Sequence, residues 1–173
     1  MNNRAKSILV LTLICLIVTA LLAFVNLVTA PVIEESNAQK VQNSLRSALP
    51  AADGFVALDL TGDMPTTVTG VYQAENGSGY AVTLKTKSQY SSDKMGLTVG
   101  IGADGKIAGI VLTSYYESKD FGKESYPKTY LDADADTYAS VSLVSGVTYS
   151  STAFRNAVGD AFTAYQIIKE AAQ

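Results

Sequence analysis

The chain has 173 residues, 13 basic and 16 acidic, with no histidine, no tryptophan and one cysteine. That composition excludes a Ser-His-Asp or Cys-His relay, an imidazole metal site, an internal disulfide and a self-held iron–sulfur cluster. The length suits one modest domain plus something small, and the net charge of −3 argues against nucleic acid as a partner.

From Ser7 to Ile33 no residue is charged, and Ile8 to Val18 is almost solid aliphatic. A bilayer core needs about 20 apolar residues as helix, and this run supplies them. Arg4 and Lys6 precede it, while Glu34 and Glu35 follow. The positive-inside rule places the N-terminus in the cytoplasm and the rest outside, a single-pass protein of the cell membrane. The rival reading is a cleaved signal peptide. Its apolar region would be shorter, and Pro31 directly follows the one small-residue site, Val28-Thr29-Ala30. Cys15 reads as an inert residue of the span. Beyond Ala30 the chain keeps 11 basic and 16 acidic residues, an acidic domain on a tether. The expected division is 1–30 for the cytoplasmic N-terminus and anchor, 31–50 for a linker helix and 51–173 for the extracytoplasmic domain.

Ala38, Val41, Leu45 and Leu49 recur at helical spacing until Pro50 stops the pattern, as a stalk or as the first helix of the domain. Short strands with turn chemistry follow. Asn76-Gly77-Ser78-Gly79 is a turn cluster, and Tyr80, Val82 and Leu84 alternate with Ala81, Thr83 and Lys85 as in a half-buried strand. Asp104-Gly105 between Leu97–Ile101 and Ile107–Leu112 predicts a hairpin. Val141–Val144 reads as a late strand. Phe154, Val158, Ala161, Phe162, Tyr165 and Ile168 predict an amphipathic helix from about Ser151 to Ala172. The fold class is α+β: a membrane helix, an antiparallel sheet and a C-terminal helix.

Several patterns imitate chemistry. Gly100-Ile101-Gly102-Ala103-Asp104-Gly105 matches G-x-G-x-x-G, but a strand pattern follows where a dinucleotide site needs a helix. Asp132-Ala133-Asp134-Ala135-Asp136 opens like a calcium loop, yet Thr137 and Leu143 occupy the positions that need glycine and glutamate. Asn76-Gly77-Ser78 is a formal glycosylation acceptor explained by its turn composition. Tyr115-Tyr116 reads as ordinary sheet-end residues.

Ser145-Gly146-Val147-Thr148-Tyr149-Ser150-Ser151 stands apart. Four hydroxyls and a glycine lie directly before the C-terminal helix, where capping needs one hydroxyl. A helix N-terminus also favours a phosphate, and the glycine would admit a close approach of the backbone. The residues leave open a serine-rich cap and an anion site.

The same segment resembles the flavinylation motif of the FMN-binding domain family. That motif runs from an acidic residue through two variable positions to Ser or Thr, Gly, Ala, and Thr or Ser. The resemblance makes Thr148 the hydroxyl that a flavin transferase esterifies to the FMN phosphate. Ser145, Gly146, Val147, Ser150 and Ser151 surround it as cofactor-binding residues. Val147 stands where the family has alanine, and Ser142 where it has an acidic residue. Gly100–Ile110 and Tyr116–Gly122 are similar to the family's strand–turn–strand and the region after it, in which Glu117, Ser118 and Gly122 persist. With its single span the chain resembles the G subunit of Rnf-type electron-transport complexes, and more distantly the C subunit of the sodium-pumping quinone reductase. The resemblance implies a membrane-anchored electron carrier with covalent FMN and no independent catalytic site. It also implies partners: an iron–sulfur-bearing subunit, an FMN-bearing subunit and the lipid bilayer, in a ferredoxin:NAD oxidoreductase that moves ions. The alternatives are a non-redox envelope module, or an FMN carrier for another extracytoplasmic reductase.

Overall fold

The computed structural model of the chain describes residues 3–60, 63–88, 95–116 and 119–171. These fall into two compact units, one ending at Val41 and the other starting at Gln42. The elements are helix α1 (Asn3–Ala48), strands β1 (Phe55–Leu58), β2 (Val68–Ala74), β3 (Gly79–Thr86), β4 (Met95–Gly102) and β5 (Ile107–Ser114), and helix α2 (Thr148–Ala171). Short 3-10 turns occupy Pro127–Tyr130 and Tyr138–Ser140.

In the first unit, Ile8, Leu11, Leu16, Leu22 and Phe24 of α1 are exposed. Hydrocarbon is the solvent that suits such a surface. Thr12 and Thr19 donate to the carbonyls of Ile8 and Cys15, both at 2.9 Å, so these hydroxyls are satisfied inside their own helix. Among the described residues this is the one helix long and apolar enough to cross a membrane.

The second unit is a meander. All four strand pairs are antiparallel and the strand order is the chain order. One face carries Val71, Val82, Leu84, Leu97, Val99 and Ile101 into a common core with Phe154, Val158, Ala161 and Phe162 of α2. All four of those helix residues are buried, as the helical spacing requires. The α+β class therefore holds. On the opposite face the register sets Ala81, Gly100 and Gly109 side by side. There the last turns of α1 pack: Leu45 and Ala48 are fully buried, and Thr98 donates to Ser44 at 3.0 Å. Ala81 is fully buried too, although simple alternation puts it on the solvent side of β3.

The predicted hairpin forms. Gly102 N–H donates to Lys106 O at 2.8 Å, closing a turn through Asp104-Gly105, and no helix follows the three glycines. The turn cluster also forms: Ser78 N–H donates to the Asn76 side chain at 3.1 Å, and the Asn76 amide donates to Ala51 O at 2.7 Å. Val141–Val144 departs from expectation. It is irregular, not a strand, with Val141 and Val144 half-buried against the core. Extended residues become a strand only beside a partner, and this segment joins neither edge of the β1-β2-β3-β4-β5 sheet. In the acidic run, Asp134 accepts from Asp136 N–H, Thr137 N–H and the Thr137 hydroxyl at 3.1, 3.0 and 2.7 Å. It ties up the turn that leads into Tyr138–Ser140.

Candidate functional site

The hydroxyl-rich segment becomes a tight turn feeding directly into α2. Val147 N–H donates to Val144 O at 3.3 Å, and Ser151 N–H donates to Val147 O at 3.1 Å. The second bond is the first of the helix, so Val147 is the cap and Thr148 the first helical residue. The helix thus starts three residues earlier than its apolar spacing shows. Apolar periodicity marks only the apolar contacts of a helix, and the first turn of α2 carries hydroxyls and a tyrosine, with Ser150 and Ser151 buried.

Gly146 sits at φ 82°, in the left-handed region, and a Cβ there would meet nothing within 4 Å. The glycine serves the backbone of the turn, not a close approach within the fold. The space before it is open. Ser145, Thr148 and Tyr149 are exposed around that space, whereas Ser150 and Ser151 are buried. A serine-rich cap would present its hydroxyls to the first-turn amides, but the residue at the cap position is a valine.

Ser151 is fully buried and bonded on both sides. Its oxygen accepts from Val144 N–H at 3.3 Å, and its proton is shared between the carbonyls of Val147 and Thr148 at 3.1 and 3.2 Å. The two departures from the motif also find places. Val147 is half-buried and packs on the core with Val144, so its extra bulk meets apolar neighbours. Ser142 is exposed.

Beneath α2 lies an aromatic floor that scanning for motifs misses. Phe121, Tyr126 and Tyr130 each place a ring 5.5 or 5.6 Å from that of Phe154, and Tyr126 and Tyr130 share a hydroxyl hydrogen bond of 3.0 Å. Burial pushes the Tyr130 phenol far above its ordinary value, with the bond to Tyr126 adding to the effect. The available signal was Tyr126 and Tyr130 at i and i+4 around Pro127, a helical turn in miniature. Phe121 belongs to the second, upstream resemblance, so the described part of that segment packs under two turns from Thr148 on the same helix. Gly122 follows it at φ 86°, its N–H held by Asp120 at 2.9 Å. Glu117 and Ser118 lie outside the described residues. Tyr115 faces Phe121 at 5.2 Å and carries Lys123 Nζ at 4.8 Å over its ring. Among the described residues no three His, Cys, Asp or Glu side chains are grouped to hold a metal ion.

Comparison with known families gives two matches. Residues 2–47 match the RnfG N-terminal region, and residues 90–163 match the FMN-binding domain. The first covers nearly all of α1. The second runs through β4, β5 and the turn at Ser145–Val147 into α2, and contains Thr148. Strands β1 to β3 lie between them. No curated protein matches the chain. The two matches on one chain, the second spanning the turn just described, support an RnfG-like FMN-binding protein.

Proposed function

We propose that the chain carries FMN as a phosphodiester on Thr148 and works as an electron carrier within an Rnf-type membrane complex. One observation carries the reading: Thr148 is exposed as the first residue of a 24-residue helix, directly after a left-handed glycine turn that opens on empty space. A phosphate ester there meets the positive end of the helix dipole, worth about 0.3–1 kcal/mol at an exposed site. The residues fit the group. The flavin, once attached, supplies the redox chemistry, and the protein supplies attachment and orientation.

The chain's own work is mechanical and electrostatic. The Ser145–Val147 turn presents the acceptor hydroxyl, the start of α2 lends its amide dipoles, and the aromatic floor under Phe154 keeps that end of the helix rigid. The apolar run of α1 contains no ionisable side chain except Cys15, so this subunit is not the ion path. In this reading electrons arrive from an iron–sulfur-bearing membrane subunit and leave to an FMN-bearing one. The domain stands outside the cytoplasm, where a dissociated flavin could not readily be replaced, and covalent attachment answers that loss.

The test is peptide mass spectrometry on protein produced together with a flavin transferase. One FMN less one water on the peptide containing Thr148 is the expected result. Flavin on another residue moves the site, and no covalent flavin at all overturns the reading.

A further inference from the structure

We infer that Ser151 is the positioning residue for the acceptor: its buried hydroxyl staples the Val144–Thr148 turn and so holds the Thr148 hydroxyl out to the flavin transferase. The inference rests on Thr148 being the flavin acceptor. A buried serine oxygen has one proton to give and two lone pairs to fill, and this one is used in both directions. It accepts from Val144 N–H ahead of the turn and donates to the Val147 and Thr148 carbonyls behind it, at 3.1–3.3 Å. Three backbone groups on opposite sides of Ser145-Gly146 are thereby tied to one atom that the core itself holds. Full burial also removes Ser151 as a nucleophile, which leaves it a structural task alone.

The transfer it serves has strict geometry. A phosphate monoester does not condense with an alcohol in water, so the donor we infer is an activated flavin dinucleotide in which FMN is joined to a nucleoside monophosphate through a phosphoanhydride. The Thr148 hydroxyl forms an Oγ–P bond as the anhydride P–O bond breaks. A nucleoside monophosphate leaves, and the hydroxyl proton passes to a base on the transferase. No electrons change hands. In-line attack tolerates little displacement of the oxygen, and an error near 1 Å costs roughly 100-fold in rate.

The experiment compares wild type, Ser151→Ala, Ser151→Thr and Gly146→Ala, all as full chains in detergent. It follows flavin attachment by a purified transferase and amide hydrogen exchange on the unflavinated proteins. In Ser151→Ala, Val144 N–H should exchange faster while amides from Ala157 to Ala164 keep their protection. Attachment to Thr148 should slow about tenfold to 100-fold. Ser151→Thr, which keeps the hydroxyl, should recover most of the rate. Faster exchange at Val144 with a wild-type attachment rate would overturn the positioning role, and unchanged exchange would overturn the staple. Should Ser151→Ala lose protection throughout α2, Gly146→Ala decides. It strains the same turn from its open side, away from the core, and a wild-type rate in that variant overturns the inference. A wild-type protein that takes no flavin fails the Thr148 reading instead, and the exchange data still judge the staple.

Discussion

The carbonyl oxygen of Ala48 lies where a side chain on Gly100 would begin: a Cβ there would stand 2.2 Å from it. One glycine in the middle of β4 thus sets how closely the end of α1 approaches the sheet. Its neighbour Gly109 on β5 would clash with the same oxygen at 2.8 Å. Gly100→Ala should cost about 1–3 kcal/mol, the usual range for overpacking. Denaturant unfolding of the detergent-solubilised protein measures it, and unchanged stability would show that the last turn of α1 has room to move.

The opposite face of the sheet predicts a cavity cost. Phe162 is buried against the core, with its ring 5.5 Å from that of Tyr138. Phe162→Ala should lower stability by ~3–5 kcal/mol. A loss under about 1 kcal/mol would mean that this face of α2 contributes little to the core.

At the candidate site the hydroxyls should sort by exposure. Thr148→Val should abolish covalent flavin, and Thr148→Ser should keep part of it because serine offers the same nucleophilic oxygen. Ser150→Ala should retain flavin on Thr148, since Ser150 is buried. In-gel fluorescence of denatured protein reads all three, and persistent flavin on Thr148→Val would place the acceptor elsewhere.

Asp134 offers a pH signature. The Thr137 hydroxyl, and after it the Thr137 and Asp136 amides, hold its carboxyl below the ordinary value of 3.8. A depressed folded value means that its stabilisation is complete above the ordinary value and fades as pH falls through the lower, folded one. Carboxyl NMR should show Asp134 titrating below the ordinary value and returning towards it in Thr137→Val. An unmoved titration in that variant would remove the hydroxyl as the cause.

The apolar run of α1 predicts membrane retention. Protein should stay in membranes after a high-salt wash and begin near Met1 by intact mass. An N-terminus at Pro31 would instead show cleavage after Ala30.

Much of this molecule is local physics and could be read from the chain alone. The uncharged run from Ser7 to Ile33 follows from solvent preference, the hairpin from Asp104-Gly105, and the buried stripe of α2 from its 3.6-residue period. The hydroxyl cluster before α2 was legible as composition, and its resemblance singled out Thr148. What the tertiary structure decided are relationships between residues distant in sequence. The strand pattern after Gly100 already sets aside a nucleotide fingerprint, but only the fold shows the Ala48 carbonyl lying against that glycine. Val141–Val144 has a strand's residues but pairs with neither edge of the sheet, and its valines serve the core from an irregular loop. Phe121, Tyr126 and Tyr130 become a floor only when Phe154 arrives from another element. Ser151 and Thr148 are both hydroxyls three residues apart, and composition cannot rank them. Burial does, because a side chain sealed in the core can hold a turn together while one on the first turn of a helix can react.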